Sequence, residues 1–238
     1  MVSIDRVYQK VLALANKEQR GYITPQEFNL FATQAQMEIF EQYFYDINQF
    51  KRIHNNNSEY HNMIDLINEK LHYFKQTRVI WNGFNIGSVP IYKLGDIYIR
   101  PTGFDPTSSD PFNGSIVVEE INAVDVNETQ ISPLTKATES RPIYYIENNS
   151  IFFYPQNISG EHRLNYIKKP IEPKWGYVVV KSKALYNANT STDFELHVSE
   201  ESELVYRVLA YAGIAIEKPG LTQMAVGLET SKVQQEKI

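Results

Sequence analysis

The spacing of apolar positions divides the chain into three stretches. Ile4, Val7, Tyr8, Val11, Leu12 and Ala15 recur at helical intervals, with Ser3 placed to cap the start and Gly21 to follow the end. This predicts a short amphipathic helix. A second start is marked more sharply: Thr24 stands as N-cap, Pro25 at the first helical position, Glu27 where it closes a capping box, and Ile23 faces Phe28 as a hydrophobic staple. From there Phe28, Phe31, Ala32, Ala35, Ile39, Tyr43, Ile47 and Phe50 hold one stripe to Arg52, a rod of roughly 40 Å. After a polar turn from His54 to Ser58, the residues Tyr60, Met63, Ile64, Ile67, Leu71 and Phe74 predict a third helix. Three helices on short loops are expected to pack as an antiparallel bundle.

From Gln76 to Thr192 the period changes to two. Val89, Ile91, Ile97, Ile99, Ile116, Val118, Leu164, Tyr166, Val178 and Val180 lie in short alternating runs, separated by punctuation that includes Pro90, Gly95, Pro101, Gly114, Pro142, Gly160 and Pro170. The clearest pair is 142–146 and 151–155 around a turn at 147–150, a hairpin apolar or aromatic on both faces and so expected to be covered on both. A further strand is expected from His162 to Lys168. Helical spacing returns at Leu204, Val205, Val208, Leu209 and Ala212, with Ser199 as N-cap and Glu200 and Glu201 at the positive helix end. After Lys218-Pro219-Gly220, a last segment carries Leu221, Met224, Ala225 and Leu228 at helical spacing. The fold class expected is therefore α+β: a discontinuous helical bundle formed by residues 1–75 and 193–238, interrupted by an inserted antiparallel β-rich domain over 76–192.

Composition narrows the chemistry. The absence of cysteine in 238 residues removes disulfide scaffolds, thiol catalysis, zinc fingers and iron–sulfur ligation. No apolar run is long enough to span a bilayer, and residues 1–10 have neither a basic leader nor an apolar core, so the chain is expected to be made in a cytoplasm without membrane attachment. With 28 acidic against 23 basic side chains the net charge is -5, which gives no counterion-release footprint for nucleic acid. Sixteen tyrosines, together with abundant Asn and Ile, suit wide wet contact surfaces, and AT-rich coding produces the same bias.

Searching for reactive groups gives little. His54, His61, His72, His162 and His197 form no H-x-x-x-H or H-E-x-x-H pattern, and neither a nucleophile elbow nor a phosphate loop is present. The carboxylate pairs Glu38/Glu41, Glu119/Glu120 and Glu200/Glu201 are what a glycosidase would need, but the first is expected on a solvated face and the last to complement a helix dipole. The loop from Asp105 to Asp110 lacks the glycine and terminal glutamate of a calcium loop and reads as a Pro-locked turn. We expect no enzyme, metal or cofactor. Tyr144, Tyr145, Phe152 and Tyr154 form a candidate contact surface, with a stacking platform for single-stranded nucleic acid or carbohydrate as the alternative reading. Only Arg141 supplies positive charge between Ala137 and Glu161.

Several segments carry a resemblance. Residues 15–28 (ANKEQRGYITPQEF), Ala35 to Phe40, Arg141 to Tyr145, Tyr154-Pro155, Tyr166 to Pro170, Pro173 to Trp175 and Phe194 to Leu196 together resemble virion structural proteins of short-tailed, crAss-like bacteriophages. The helix–β–helix order is similar to that of their head-to-tail adaptor, or connector, proteins. The resemblance implies a ring, expected as twelve copies, attached below the portal and continuing the DNA channel toward the tail. Its partners would be other copies of itself, the portal protein and neighbouring tail or ring proteins, with genomic DNA passing through without sequence-specific binding. The location implied is the virion, assembled in the host bacterial cytoplasm. It also implies that the segment bearing Leu221, Met224, Ala225 and Leu228 reaches the portal.

Overall fold

The computed structural model describes residues 1–16, 23–52, 58–100, 115–156 and 158–215, with 223, 226–228 and 230 beyond them. The fold is mixed α+β. It divides into two compact units, one formed by Met1–Leu71 with Pro170–Ile238 and the other by His72–Lys169.

The first unit contains α1 (Ile4–Asn16), α2 (Pro25–Arg52), α3 (Ser58–His72) and α5 (Glu201–Ala215). The helix starts follow local chemistry. At α2 the Thr24 N–H and hydroxyl both donate to Glu27 Oε2, at 2.9 and 2.7 Å, and the Glu27 N–H returns to Thr24 Oγ1 at 3.3 Å, while Ile23 and Phe28 are buried. At α1 the free N–H of Ile4 donates to the Asp193 carboxylate at 2.9 Å, and Val2 bridges to Phe194, so the two separated chain segments meet at the first helical turn. The α5 start differs from expectation. Ser199 is not the cap: a 3₁₀ turn over Val198–Glu200 precedes the helix, and His197 Nδ1 accepts the Ser199 N–H at 3.3 Å. An imidazole nitrogen two residues upstream has taken the acceptor role. Both α1 and α2 pack on α5, burying Val7, Val11, Phe28, Ala32, Phe40, Leu204, Val208 and Ala212.

Residues 170–192, expected within the β-rich insertion, group with this first unit. The cause is a set of hydrogen bonds to an irregular stretch of backbone. Ile171 donates its N–H to Glu195 Oε2 at 2.8 Å and accepts from Gln36 Nε2 at 2.7 Å, while Trp175 exchanges bonds with the Asn29 carboxamide and packs its ring 4.4 Å from Tyr8. The hairpin of β8 (Tyr177–Val180) and β9 (Lys183–Tyr186) leaves from this anchored segment.

The second unit is one seven-stranded sheet. Its strands are β1 (Lys75–Ile80), β2 (Phe84–Asn85), β3 (Ile91–Arg100), β4 (Ile116–Glu120), β5 (Ile143–Glu147), β6 (Ser150–Tyr154) and β7 (Glu161–Lys168), in the order β1-β7-β3-β4-β5-β6-β2. The two edge strands are consecutive in the chain, separated only by Trp81–Gly83, so the sheet curls until it is nearly closed. Asn82 helps here by accepting the Phe153 N–H at 3.0 Å. Ile80, Phe84, Ile97, Ile99, Val118, Ile151, Phe153 and Leu164 fill the interior with Tyr144 and Tyr166.

Two expectations fail in this unit. The sheet is not wholly antiparallel, because β4 and β5 pair in parallel at Glu119–Ile143 and Glu120–Tyr144. The long connection between them, containing the short helix α4 (Val126–Ile131), is enough for a parallel return. Nor does Gly95 end a strand: β3 runs through it at a register irregularity. A Cβ there would lie 2.9 Å from the Asn165 carbonyl oxygen, so glycine permits close backbone approach inside the strand.

Candidate functional site

The β5–β6 hairpin turns through Asn148 and Asn149, both at positive φ (47° and 62°), as a two-residue primed turn requires. Strand alternation then separates its aromatic residues. Tyr144 and Phe153 point into the core, and the Tyr144 hydroxyl donates to Glu120 at 3.0 Å. Tyr144 is buried and is therefore not part of the expected contact surface. Burial, reinforced by Glu120, raises its phenol pKa strongly.

Tyr145, Phe152 and Tyr154 remain together on the outer face, each partly exposed rather than covered. The Tyr145 ring lies 5.4 Å from Phe152 and 5.9 Å from Tyr154, with interplanar angles of 25° and 14°. These three near-parallel rings make a flat apolar strip carrying two hydroxyls. Burial first, then Tyr154 and Glu147, push the Tyr145 phenol upward, so its hydroxyl is a neutral hydrogen-bonding group. Such a strip can take the flat face of a planar or ring-shaped group. Arg141 pairs with Glu119 at 2.9 Å and so brings no uncompensated charge to it.

Apart from Glu41, the carboxylates of the three pairs are committed to other partners. Glu38 is half-buried, not on a freely solvated face: it accepts from Arg207 Nη1 at 3.1 Å, from Gln34 at 3.2 Å and from the Tyr211 hydroxyl. Burial pushes its pKa up, but these three donors together hold it below the ordinary carboxylate range. Tyr211 is pushed up to about 12 by burial and by Glu38. Arg207 also binds Glu203 at 2.7 Å. Glu41 is exposed. Glu200 is buried against Lys70 at 2.6 Å, so its role is pairing rather than dipole compensation alone, and Glu201 binds Lys10 at 2.6 Å and Arg6 at 3.4 Å. Each acidic group in these clusters faces a cation or a hydroxyl, an arrangement that locks helices together.

His72 and His197 are exposed, and His162 is half-buried with its ring 4.6 Å from Phe153. Among the described residues no three His, Asp or Glu side chains come together to hold a metal ion, and no described helix is long and apolar enough to cross a membrane. Leu228, from the expected portal-docking segment, is helical and 45% exposed; Leu221, Met224 and Ala225 lie outside the described residues, as do His54 and the Asp105–Asp110 loop. Sequence reasoning missed Gln36, Asn29, Asp193 and Glu195. Each acts on a partner more than 20 positions away, and no local motif marks such a pairing.

No protein-family model matches the chain, and no curated protein is similar to it at a significant level.

Proposed function

We propose that this chain is a virion structural protein: a head-to-tail adaptor subunit that assembles as a ring, expected as twelve copies, joins the portal to the tail and surrounds the DNA channel. On this reading the helices form a discontinuous bundle and the β-rich unit is its insertion. One observation carries the proposal beside the resemblance of the sequence. The first unit draws helices from both ends of the chain, stitched by Ile4 to Asp193 and Val2 to Phe194, around an interruption formed by the second unit. Charge is compatible with the role, since an acidic protein does not retain DNA passing through it. The protein then acts by contact, without catalysis, metal or cofactor, in a virion assembled in a bacterial cytoplasm. The last segment, with Leu221, Met224, Ala225 and Leu228, meets the portal.

Mixing the purified chain with portal rings and imaging by negative stain tests this directly. Added ring density is expected, and its absence sinks the proposal. Deleting residues 221–238 is expected to weaken docking while preserving the helical circular-dichroism signal.

The Tyr145–Phe152–Tyr154 stack favours a second reading, a binding module for single-stranded nucleic acid or carbohydrate. A salt-dependent gel shift on single-stranded DNA, lost in Tyr154→Ala with the fold intact, would favour that reading over the first.

A further inference from the structure

The β8–β9 hairpin stands apart from the rest of the first unit in how little of it is buried. Its register pairs Tyr177 with Tyr186, Val178 with Leu185, Val179 with Ala184 and Val180 with Lys183. Alternation puts Tyr177, Val179, Ala184 and Tyr186 on one face and Val178, Val180, Lys183 and Leu185 on the other. The first face is held at its base by Trp175, whose ring lies 5.9 Å from Tyr177 and 5.7 Å from Tyr186. Cover ends there: Val178, Val179, Val180 and Leu185 are exposed by 50%, 63%, 46% and 52%. The sheet has only these two strands, so the ribbon also presents ladder groups on both outer edges. A bare two-stranded ribbon is marginal in water, and one carrying four exposed aliphatic residues gains most from being covered.

Charge identifies the cover. Between Trp175 and Ala188 the only charged residues are Lys181 and Lys183 at the tip, so the segment carries +2 while the whole chain carries -5, leaving -7 for the remainder. We infer that the β8–β9 hairpin docks on a second copy of this chain, whose net charge outside the hairpin is opposite in sign to that of the hairpin. This rests on the ring reading above and names the element that joins adjacent subunits. A polyanion such as DNA attracts the two lysines but leaves the valines and Leu185 against phosphate and water. An acidic protein surface with its own apolar residues accepts both. A hairpin on one copy and a different patch on the next make a heterologous contact, which closes into a ring when the rotation between copies permits. The aliphatic patch falls short of the roughly 800 Å² per partner of a standard interface, so the hairpin serves as an anchor within a larger contact.

The lack of cysteine makes the test clean, since one introduced cysteine carries a photo-crosslinker at a single position. Full-length Val179→Cys and Leu185→Cys, labelled with a benzophenone maleimide, are illuminated alone over a concentration series and then with portal rings. The expected products are covalent chain–chain dimers and higher ladders, reduced several-fold when Lys181→Glu and Lys183→Glu are added and circular dichroism is unchanged. Crosslinking only to portal, to added single- or double-stranded DNA, or to phosphatidylserine vesicles overturns the inference. So does the absence of chain–chain products from both labelled sites. Ring density on the portal without hairpin crosslinks removes the hairpin but keeps the adaptor reading, whereas loss of ring density removes the reading itself.

Discussion

The two units bury different kinds of side chain. In the sheet unit the interior cluster is aliphatic and aromatic, and its two tyrosines reach Glu120 and Gln76 with their hydroxyls. In the unit built from both chain segments, four polar or charged side chains are buried among the described residues: Gln36, Glu195, Glu200 and Glu203. A nearly closed sheet satisfies its backbone through the ladder, which leaves interior side chains free to be apolar. The stretch from Pro170 to Trp175 has no ladder of that extent, so its backbone groups need side-chain partners, supplied by Gln36, Asn29 and Glu195. Irregular backbone therefore accounts for the burial of Gln36 and Glu195, while Glu200 and Glu203 are buried against the cations Lys70 and Arg207.

The largest expected effect tests the apolar side of this contrast. Phe153 is fully buried between Tyr144 and His162, and Phe153→Ala should cost about 3–5 kcal/mol in urea unfolding. Hydrogen exchange should rise across 143–154. On the other side, Gln36→Leu keeps bulk and adds apolar surface but strands the Ile171 carbonyl and the Glu195 N–H. It should cost about 2 kcal/mol, with faster exchange near residues 171 and 195. A neutral or stabilising Gln36→Leu would show that the polar bonds are incidental.

How much of this was legible in the sequence follows from the same distinction. The Thr24–Glu27 box, the helical stripes and the β5–β6 turn were readable because their partners lie within a few residues. The Gly95 irregularity, the parallel β4–β5 pairing and the attachment of 170–192 to the helical unit were not, since each depends on segments distant in the chain. Tyr145, Phe152 and Tyr154 share the outer face of the hairpin, whereas Tyr144, expected alongside them in one contact surface, lies inside. On a strand aromatic at every position, alternation alone does not say which set is inside.

pH should separate the units by a smaller margin. Burial lowers the His162 pKa, partly offset by a hydrogen bond to the Gly160 backbone, so the unfolded chain takes up this proton first. Its contribution is complete above the unfolded value of about 6.5 and is lost as pH falls through the lower folded value. In the other unit the carboxyls are depressed: Glu27 by its bonds to Thr24, Glu201 by Lys10 and Arg6, and Glu38 by Tyr211, Gln34 and Arg207 against the effect of burial. Their contribution persists above about 4.3 and disappears as pH falls through the folded values. Between about pH 7 and 5.5 only the sheet unit should weaken, and His162→Gln should abolish that drift. Urea midpoints from Trp175→Phe and Trp81→Phe, which leave one tryptophan in each unit, check it. Equal drift at both reporters would contradict the assignment.

The smallest effect compares two hairpins of the same geometry and different residues. Lys181 and Ser182 have φ values of 49° and 62°, closely matching Asn148 and Asn149. Left-handed backbone costs an ordinary L-residue roughly 1–2 kcal/mol and asparagine less, because its short carboxamide bonds locally. The β5–β6 turn is thus near its preferred chemistry, while β8–β9 holds the same conformation against it. Ser182→Gly relieves the Cβ penalty but gives back part of the gain through the greater freedom of unfolded glycine. A net stabilisation of under about 1 kcal/mol should appear as slower amide exchange in Val178–Leu185, with Asn149→Gly close to neutral. Equal gains at both turns would mean that residue type at positive φ does not distinguish them, and the weak local preference assigned to the β8–β9 ribbon would have to be abandoned.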